Sequence, residues 1–112
     1  MLKQAATNRR VRGSRSGRPI MVLLDLLGRR WTLRILWELR VERKLTSREL
    51  RTRCDEASPT VLQARLSELR EAEFLDLAAE GGYSLTALGD ELCATFLPLH
   101  HFAERWRKKM EA

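Results

Sequence analysis

Leu45-Thr46-Ser47-Arg48-Glu49-Leu50, followed by Ala57-Ser58-Pro59-Thr60-Val61-Leu62-Gln63-Ala64-Arg65-Leu66-Ser67-Glu68-Leu69, reads as two short helices joined by a polar turn. Ser58 suits an N-cap, because a hydroxyl there accepts from a backbone N–H that the first turn leaves unpaired. Pro59 suits the first helical position, where no amide hydrogen is needed. In a helix-turn-helix the second helix enters the DNA major groove, so this segment implies both an architecture and a partner.

The flanking elements follow from periodicity. Ile20 to Leu27 is a short helix, apolar nearly all round, that Gly28 ends as a residue free to take positive φ. Trp31 to Leu39 is a second helix with Trp31, Ile35 and Leu39 in one i, i+4 row and Leu36 beside them, which makes it the centre of the core. Lys44 to Thr46 is a very short strand, and Thr46 or Ser47 caps a third helix running to about Cys54. After the turn at Asp55, Glu56 and Ala57, the fourth helix runs from Ser58 to about Glu73. Phe74 to Ala78 alternates apolar and polar, Gly81-Gly82 supplies a tight turn and Tyr83-Ser84-Leu85 returns, a two-stranded hairpin. Thr86 caps a last helix whose apolar residues Leu88, Leu92, Phe96, Leu99, Phe102, Trp106 and Met110 recur three or four apart, with Pro98 predicting a bend or break. The expected fold is mainly α with a small β-hairpin, a winged helix-turn-helix over residues 18–112 behind a basic arm at 1–17.

At 112 residues, 44% hydrophobic and 32% charged, the chain has room for one domain and one modest core. No fixed-period repeat is present, and the apolar run from Ile20 to Leu27 is interrupted by Asp25 and too short for a bilayer. Without a cleavage site for export, a cytoplasmic protein with no membrane partner is expected, and Cys54 and Cys93 are expected as reduced thiols. Residues 1 to 19 hold six basic groups and no acid, so the whole net charge of +6 sits there, interleaved with Gly13, Ser14, Ser16 and Gly17. Such a segment cannot bury enough surface to order itself. It serves either as a solubilising terminus or as a nucleic-acid arm carrying Arg9, Arg10, Arg12, Arg15 and Arg18. From Arg29 to Arg53 nine basic residues stand against three acids, whereas from Cys54 to Glu104 two face ten. If those segments segregate in space, one side of the domain meets an anion and the other avoids it.

The block Arg18-Pro19-Ile20-Met21-Val22-Leu23-Leu24-Asp25-Leu26-Leu27-Gly28-Arg29-Arg30-Trp31-Thr32-Leu33-Arg34-Ile35-Leu36 resembles the opening of the HxlR-type winged helix-turn-helix transcriptional regulators. Tyr83-Ser84-Leu85-Thr86-Ala87-Leu88-Gly89 resembles their closing motif, and Ser58 to Leu69 fits them and also the wider MarR-like and ArsR-like group. The resemblance implies a homodimeric bacterial DNA-binding regulator that dimerises through its first and last helices, about 18–28 and 87–110. The interface residues would be Ile20, Leu23, Leu24, Leu27, Phe96, Leu99, Phe102 and Trp106. The over-apolar first helix and the long apolar stripe of the last agree with that. Some family members carry a redox-sensing cysteine immediately before the early Pro; Arg18 stands there in this chain, which excludes thiol sensing through that site. The aromatic usual early in the third helix is Ser47 here, so Leu45 or a neighbour must fill the gap. The hairpin between Phe74 and Tyr83 is several residues shorter than the family's and offers Asp76 and Glu80 where a wing presents a basic residue, which puts a wing contact in doubt.

At 100° per residue Leu62, Leu66 and Leu69 fall on the core side of the recognition helix, and Thr60, Ala64, Ser67 and Glu71 fall opposite with Gln63 flanking. Base reading is expected from Thr60, Gln63 and Ala64, with an A·T-containing half-site. Gln can bond an adenine edge in a bidentate manner, and the Thr and Ala methyls pack on thymine. Glu68, Glu71 and Glu73 repel phosphates, so the amino-terminal half should enter the groove. Arg29, Arg30, Arg48, Arg51, Arg53, Ser58 and Arg65 are the phosphate candidates, although Arg65 could equally pack its stem on the core and pair with a local acid. His100-His101 are adjacent with no acid or thiol completing a ligand set, and Cys54 occupies an apolar slot before the turn. No metal, cofactor or enzymatic activity is expected. A small-molecule effector, if one acts, would enter between the core and the dimer helices near Trp31 and Trp37. Two functions stay open: a regulator reading a pseudo-palindromic operator as a homodimer, and a winged-helix module that has lost DNA reading and docks a protein.

Overall fold

The computed structural model describes residues 17–112, in the order α1 (Pro19–Leu27), α2 (Thr32–Val41), β1 (Leu45–Thr46), α3 (Ser47–Arg53), α4 (Pro59–Glu71), β2 (Leu75–Leu77), β3 (Gly82–Leu85) and α5 (Ala87–Glu111). Local chemistry sets most of these boundaries. Thr46 caps α3 through a full capping box, its hydroxyl accepting from the Glu49 N–H while the Glu49 carboxylate accepts from the Thr46 N–H. Ser58 caps α4 and Thr86 caps α5 by accepting from the Val61 and Gly89 N–H groups.

Both ends of the helix-turn-helix close by left-handed steps. After α3, Asp55 and Glu56 take φ of 54° and 57°, and the Glu56 N–H reaches back to the Arg51 carbonyl. After α4, Glu73 takes φ of 67°, its N–H bonding the Arg70 carbonyl and that of Phe74 the Leu69 carbonyl. This is a Schellman closure with a glutamate where glycine is cheapest, and it stops α4 two residues before the expected Glu73. Between α1 and α2, by contrast, Gly28 does not take positive φ. It stays near-helical at −79°, and the left-handed step falls on Trp31 at 75°. The Arg30 guanidinium lies 5.1 Å over the Trp31 ring, which itself packs partly against the core.

Ile35, Leu36 and Leu39 of α2, Leu50 of α3 and Leu66 and Leu69 of α4 are completely buried, with Leu62, Leu45 and Tyr83 nearly so. Truncating any one of these large side chains to alanine would cost about 2–5 kcal/mol, because the cavity collapses only in part. The expected hairpin gains a third strand: β1 pairs antiparallel with β3, giving the order β1-β3-β2. Tyr83 is paired on both sides, with Leu45 and with Leu77, which fixes its position in the sheet. Gly89 lets α5 approach the sheet, since a Cβ there would collide with the Phe74 carbonyl.

Pro98 does not break α5, which runs unbroken to Glu111 although the proline has no amide hydrogen to give. Only Gly89, Leu92 and Cys93 of this helix are buried, and residues 101–111 are all exposed. Helix α1 likewise contains no buried residue.

Candidate nucleic-acid interface

The burial of Leu62, Leu66 and Leu69 turns the other side of α4 outward. Pro59, Thr60, Gln63, Ala64 and Ser67 line one shallow concave face there, bringing the three expected base readers together. Thr60, Gln63 and Ser67 are exposed and Ala64 is half-buried. Gln63 is not a free side chain: its Nε2 donates to the Tyr83 hydroxyl at 3.3 Å.

The phosphate candidates divide sharply. Arg29 bridges Asp25 at 3.0 Å and Glu68 at 2.9 Å. Burial works against its charge, but Asp25 and Glu68 outweigh that and leave its pKa above the ordinary arginine value. Arg65 lies 3.3 Å from Glu68 with its stem half-buried, the local pairing that is one of its two readings. Arg53 is held by Glu38 and Glu42 at 3.3 and 3.7 Å. Arg51, though exposed, donates from Nε to the Ala57 carbonyl at 3.0 Å and sits 3.7 Å from Glu56, bracing the turn. Arg30 is exposed but stacked on Trp31. Arg48 is exposed on α3 and makes no ion pair among the described residues. Arg18 is exposed at the start of α1, whereas Arg9, Arg10, Arg12 and Arg15 lie outside the described residues.

The expected basic and acidic sides do not segregate. Packing brings acids of the second segment onto cations of the first: Asp55 to Arg34, Glu56 to Arg51, Glu68 to Arg29, Glu80 to Lys44 and Asp90 to Arg43. Apart from the partly buried Arg29–Glu68 pair, these are exposed pairs, which contribute only about 0–1 kcal/mol each to stability. Their larger effect is to cancel positive potential beside the helix-turn-helix. The hairpin tip is part of the same pattern. Lys44 donates to Glu80 at 2.7 Å, holding that carboxyl below the usual glutamate range, and the turn closes on itself through Ala78 N–H to Gly82 O and Gly81 N–H to Ala78 O.

A second surface is apolar. Ile20, Leu24, Leu99, Phe102 and Trp106 are each more than half exposed. Leu23, Leu27 and Phe96, expected with them, pack partly against the protein's own core. Beside this stripe a groove of about 510 Å³ is lined by Leu24, Leu27, Leu33, Trp37, Phe96 and Leu99, with Arg34 and His100 at its polar edge. Trp37 lines it, as the expected signal entry would require, and Trp31 does not.

Sequence reasoning missed three contributors. Thr46 was expected as a cap, but Glu49, which completes the box, was missed although the T-x-x-E spacing before an apolar residue shows it. Tyr83 carried no one-dimensional signal, because its hydroxyl meets Gln63 across 20 residues. Glu104, one turn beyond His100-His101, faces both, at 3.5 and 4.0 Å. These are the ordinary i, i+4 and i, i+3 spacings of neighbours on one exposed helix face. Cys54 and Cys93 are buried, and burial pushes both thiols up from their ordinary pKa.

Comparison with known proteins agrees with this geometry. A family model described as HxlR-like helix-turn-helix matches residues 26–111. The crystal structure of quinone-bound YodB from B. subtilis superposes with a TM-score of 0.73 at 26% identity, covering 79% of this chain and 97% of that one. The diamide-treated form of YodB gives 0.64 at 24% identity, covering 79% and 92%. No curated protein sequence matches. Among the described residues no helix is long and apolar enough to cross a membrane.

Proposed function

The chain belongs to the HxlR family of winged helix-turn-helix proteins, DNA-binding transcriptional regulators, and from that premise we propose that it reads a pseudo-palindromic operator as a homodimer. One observation carries the reading: the outward face of α4, where Thr60, Gln63 and Ala64 share a concave surface opposite the buried leucines. Two copies related by a two-fold axis would present two such helices to successive major grooves, about 34–36 Å apart. The exposed apolar residues of α1 and α5 supply the chemistry for that pairing, since large apolar patches on a small protein mark contact surfaces. The groove beside Trp37 is the place for an apolar effector. No catalytic step is involved, and the protein works on double-stranded DNA in the cytoplasm, with the arm at 1–17 adding phosphate contacts.

The test is protection of upstream DNA in a gel shift and footprint with a salt titration. Two protected half-sites one helical turn apart, and a mass of two chains in solution, are expected; no protected site at low salt sinks the proposal. Deleting residues 1–17 should lower the salt slope by up to about 0.9 for each phosphate that the arm neutralises. The closed, acidic hairpin tip favours the second reading, a protein-docking module, and that reading would be left standing by the absence of any protected site.

A further inference from the structure

The least expected contact on the reading face is the one between Gln63 and Tyr83. A primary amide offers both a donor and an acceptor, and left free it can present either to a base edge. Here its Nε2 points at the Tyr83 hydroxyl oxygen, 3.3 Å away. The tyrosine is a firm anchor, being only 4% exposed and on the central strand, with Leu45 on one side and Leu77 on the other. A buried phenol also needs a polar partner, and Gln63 provides one.

Resting on the base-reading role of α4, we infer that Tyr83 is a positioning residue that fixes the Gln63 amide with its carbonyl oxygen toward DNA. The base it reads then carries an exocyclic amine in the major groove. Only adenine N6 and cytosine N4 offer such a donor there; guanine and thymine present O6 and O4 acceptors to the same place. Adenine is preferred to cytosine, because the second Nε2 hydrogen can still reach adenine N7. Tyr83 therefore sets specificity without touching the base.

The experiment is selection of bound sites from a randomised duplex library with the full chain, repeated for Gln63→Ala, Tyr83→Phe, the double variant and Gln63→Glu. In the wild type one position per half-site should show adenine, then cytosine, and Gln63→Ala should flatten it. Tyr83→Phe should lower the adenine-over-guanine ratio there about five- to tenfold, part of the discrimination a bidentate contact gives. Its melting temperature and salt slope should stay near those of the wild type, and the double variant should match Gln63→Ala. Gln63→Glu, an exposed change that leaves the core alone, should shift the preference to cytosine. A purely packing role for Tyr83 would weaken all sites uniformly and leave the ratio unchanged, which overturns the inference, as would guanine or thymine at the Gln63 position. A flat response to Gln63→Ala is a separate result: it removes the base-reading role itself.

Discussion

Replacing Arg48 by alanine tests the charge map most directly, because Arg48 is exposed on α3 and, like Arg70 at the far end of α4, has no ion pair among the described residues. If it touches a phosphate, its removal should reduce the slope of log K against log salt by about 0.9. Between 50 and 200 mM salt, a fourfold change, one such phosphate corresponds to about a 3.5-fold change in affinity. The variant should therefore bind more weakly at low salt and approach the wild type as salt rises. Alanine is the better helix former, so α3 should lose no stability. Arg53→Ala is the contrast. Its guanidinium is occupied by Glu38 and Glu42, so the slope should not move, and stability should fall by no more than about 1 kcal/mol. Fluorescence anisotropy on a labelled duplex across a salt series reads both. An unchanged slope in Arg48→Ala together with a lowered one in Arg53→Ala would refute the reasoning, since it would mean that Arg53 leaves its carboxylates for DNA.

Thr46→Ala removes the capping hydroxyl of α3 and should cost about 1 kcal/mol, seen as a lower melting temperature. The Thr46 N–H, and secondly its hydroxyl, hold the Glu49 carboxyl below the ordinary glutamate range. A lowered folded-state pKa gives stability that is present above the unfolded value and lost as pH falls through the folded one. Acid titration of the wild type should therefore show a loss in that range that Glu49→Gln lacks. Glu73→Gly should raise stability by about 1 kcal/mol, the cost of holding an L side chain in the left-handed region, as read by denaturant unfolding; a net loss would show that the φ of 67° is not strained. Leu99→Asp with Phe102→Asp should convert dimer to monomer in sedimentation equilibrium without altering helicity, since both residues are exposed. Cys54 and Cys93 should resist a water-soluble thiol reagent at neutral pH until the protein unfolds, and fast labelling of the native chain would contradict their burial.

The elements legible in the sequence are those whose cause is local. Ser58-Pro59, Thr86 and the leucines at 62, 66 and 69 act within one or two helical turns, so spacing alone places α4, its outward face and the start of α5. Residue type alone puts the left-handed step at Gly28, yet it occurs at Trp31, where ring packing and the Arg30 stack hold the backbone in a conformation the side chain disfavours. That compensation is tertiary, so no local rule finds it. The same holds for charge. Lys44 meets Glu80 across 36 residues and Arg43 meets Asp90 across 47, and no window of sequence reports such pairs. A surface that counts as basic along the chain is nearly neutral once folded.

That neutralisation bears on where affinity can originate. A phosphate approaching Lys44, Arg51 or Arg53 meets a cation that already has a carboxylate or carbonyl partner, so the positive potential it finds there is reduced. The hairpin tip adds no unpaired cation among the described residues, since Lys44 is held by Glu80 and Asp76 is exposed and acidic. Around the helix-turn-helix, among the described residues, this leaves Arg18, Arg30, Arg48 and Arg70 exposed and without a carboxylate, Arg30 stacked on Trp31 and Arg70 at the carboxy-terminal end of α4. If the domain reads DNA as proposed, pairing of most of these cations lowers its non-specific affinity and puts more of its selectivity on the outward face of α4. On that proposal Gln63 has the most to offer a base edge, and the Tyr83 hydroxyl 3.3 Å from its Nε2 would then carry weight out of proportion to a single hydrogen bond.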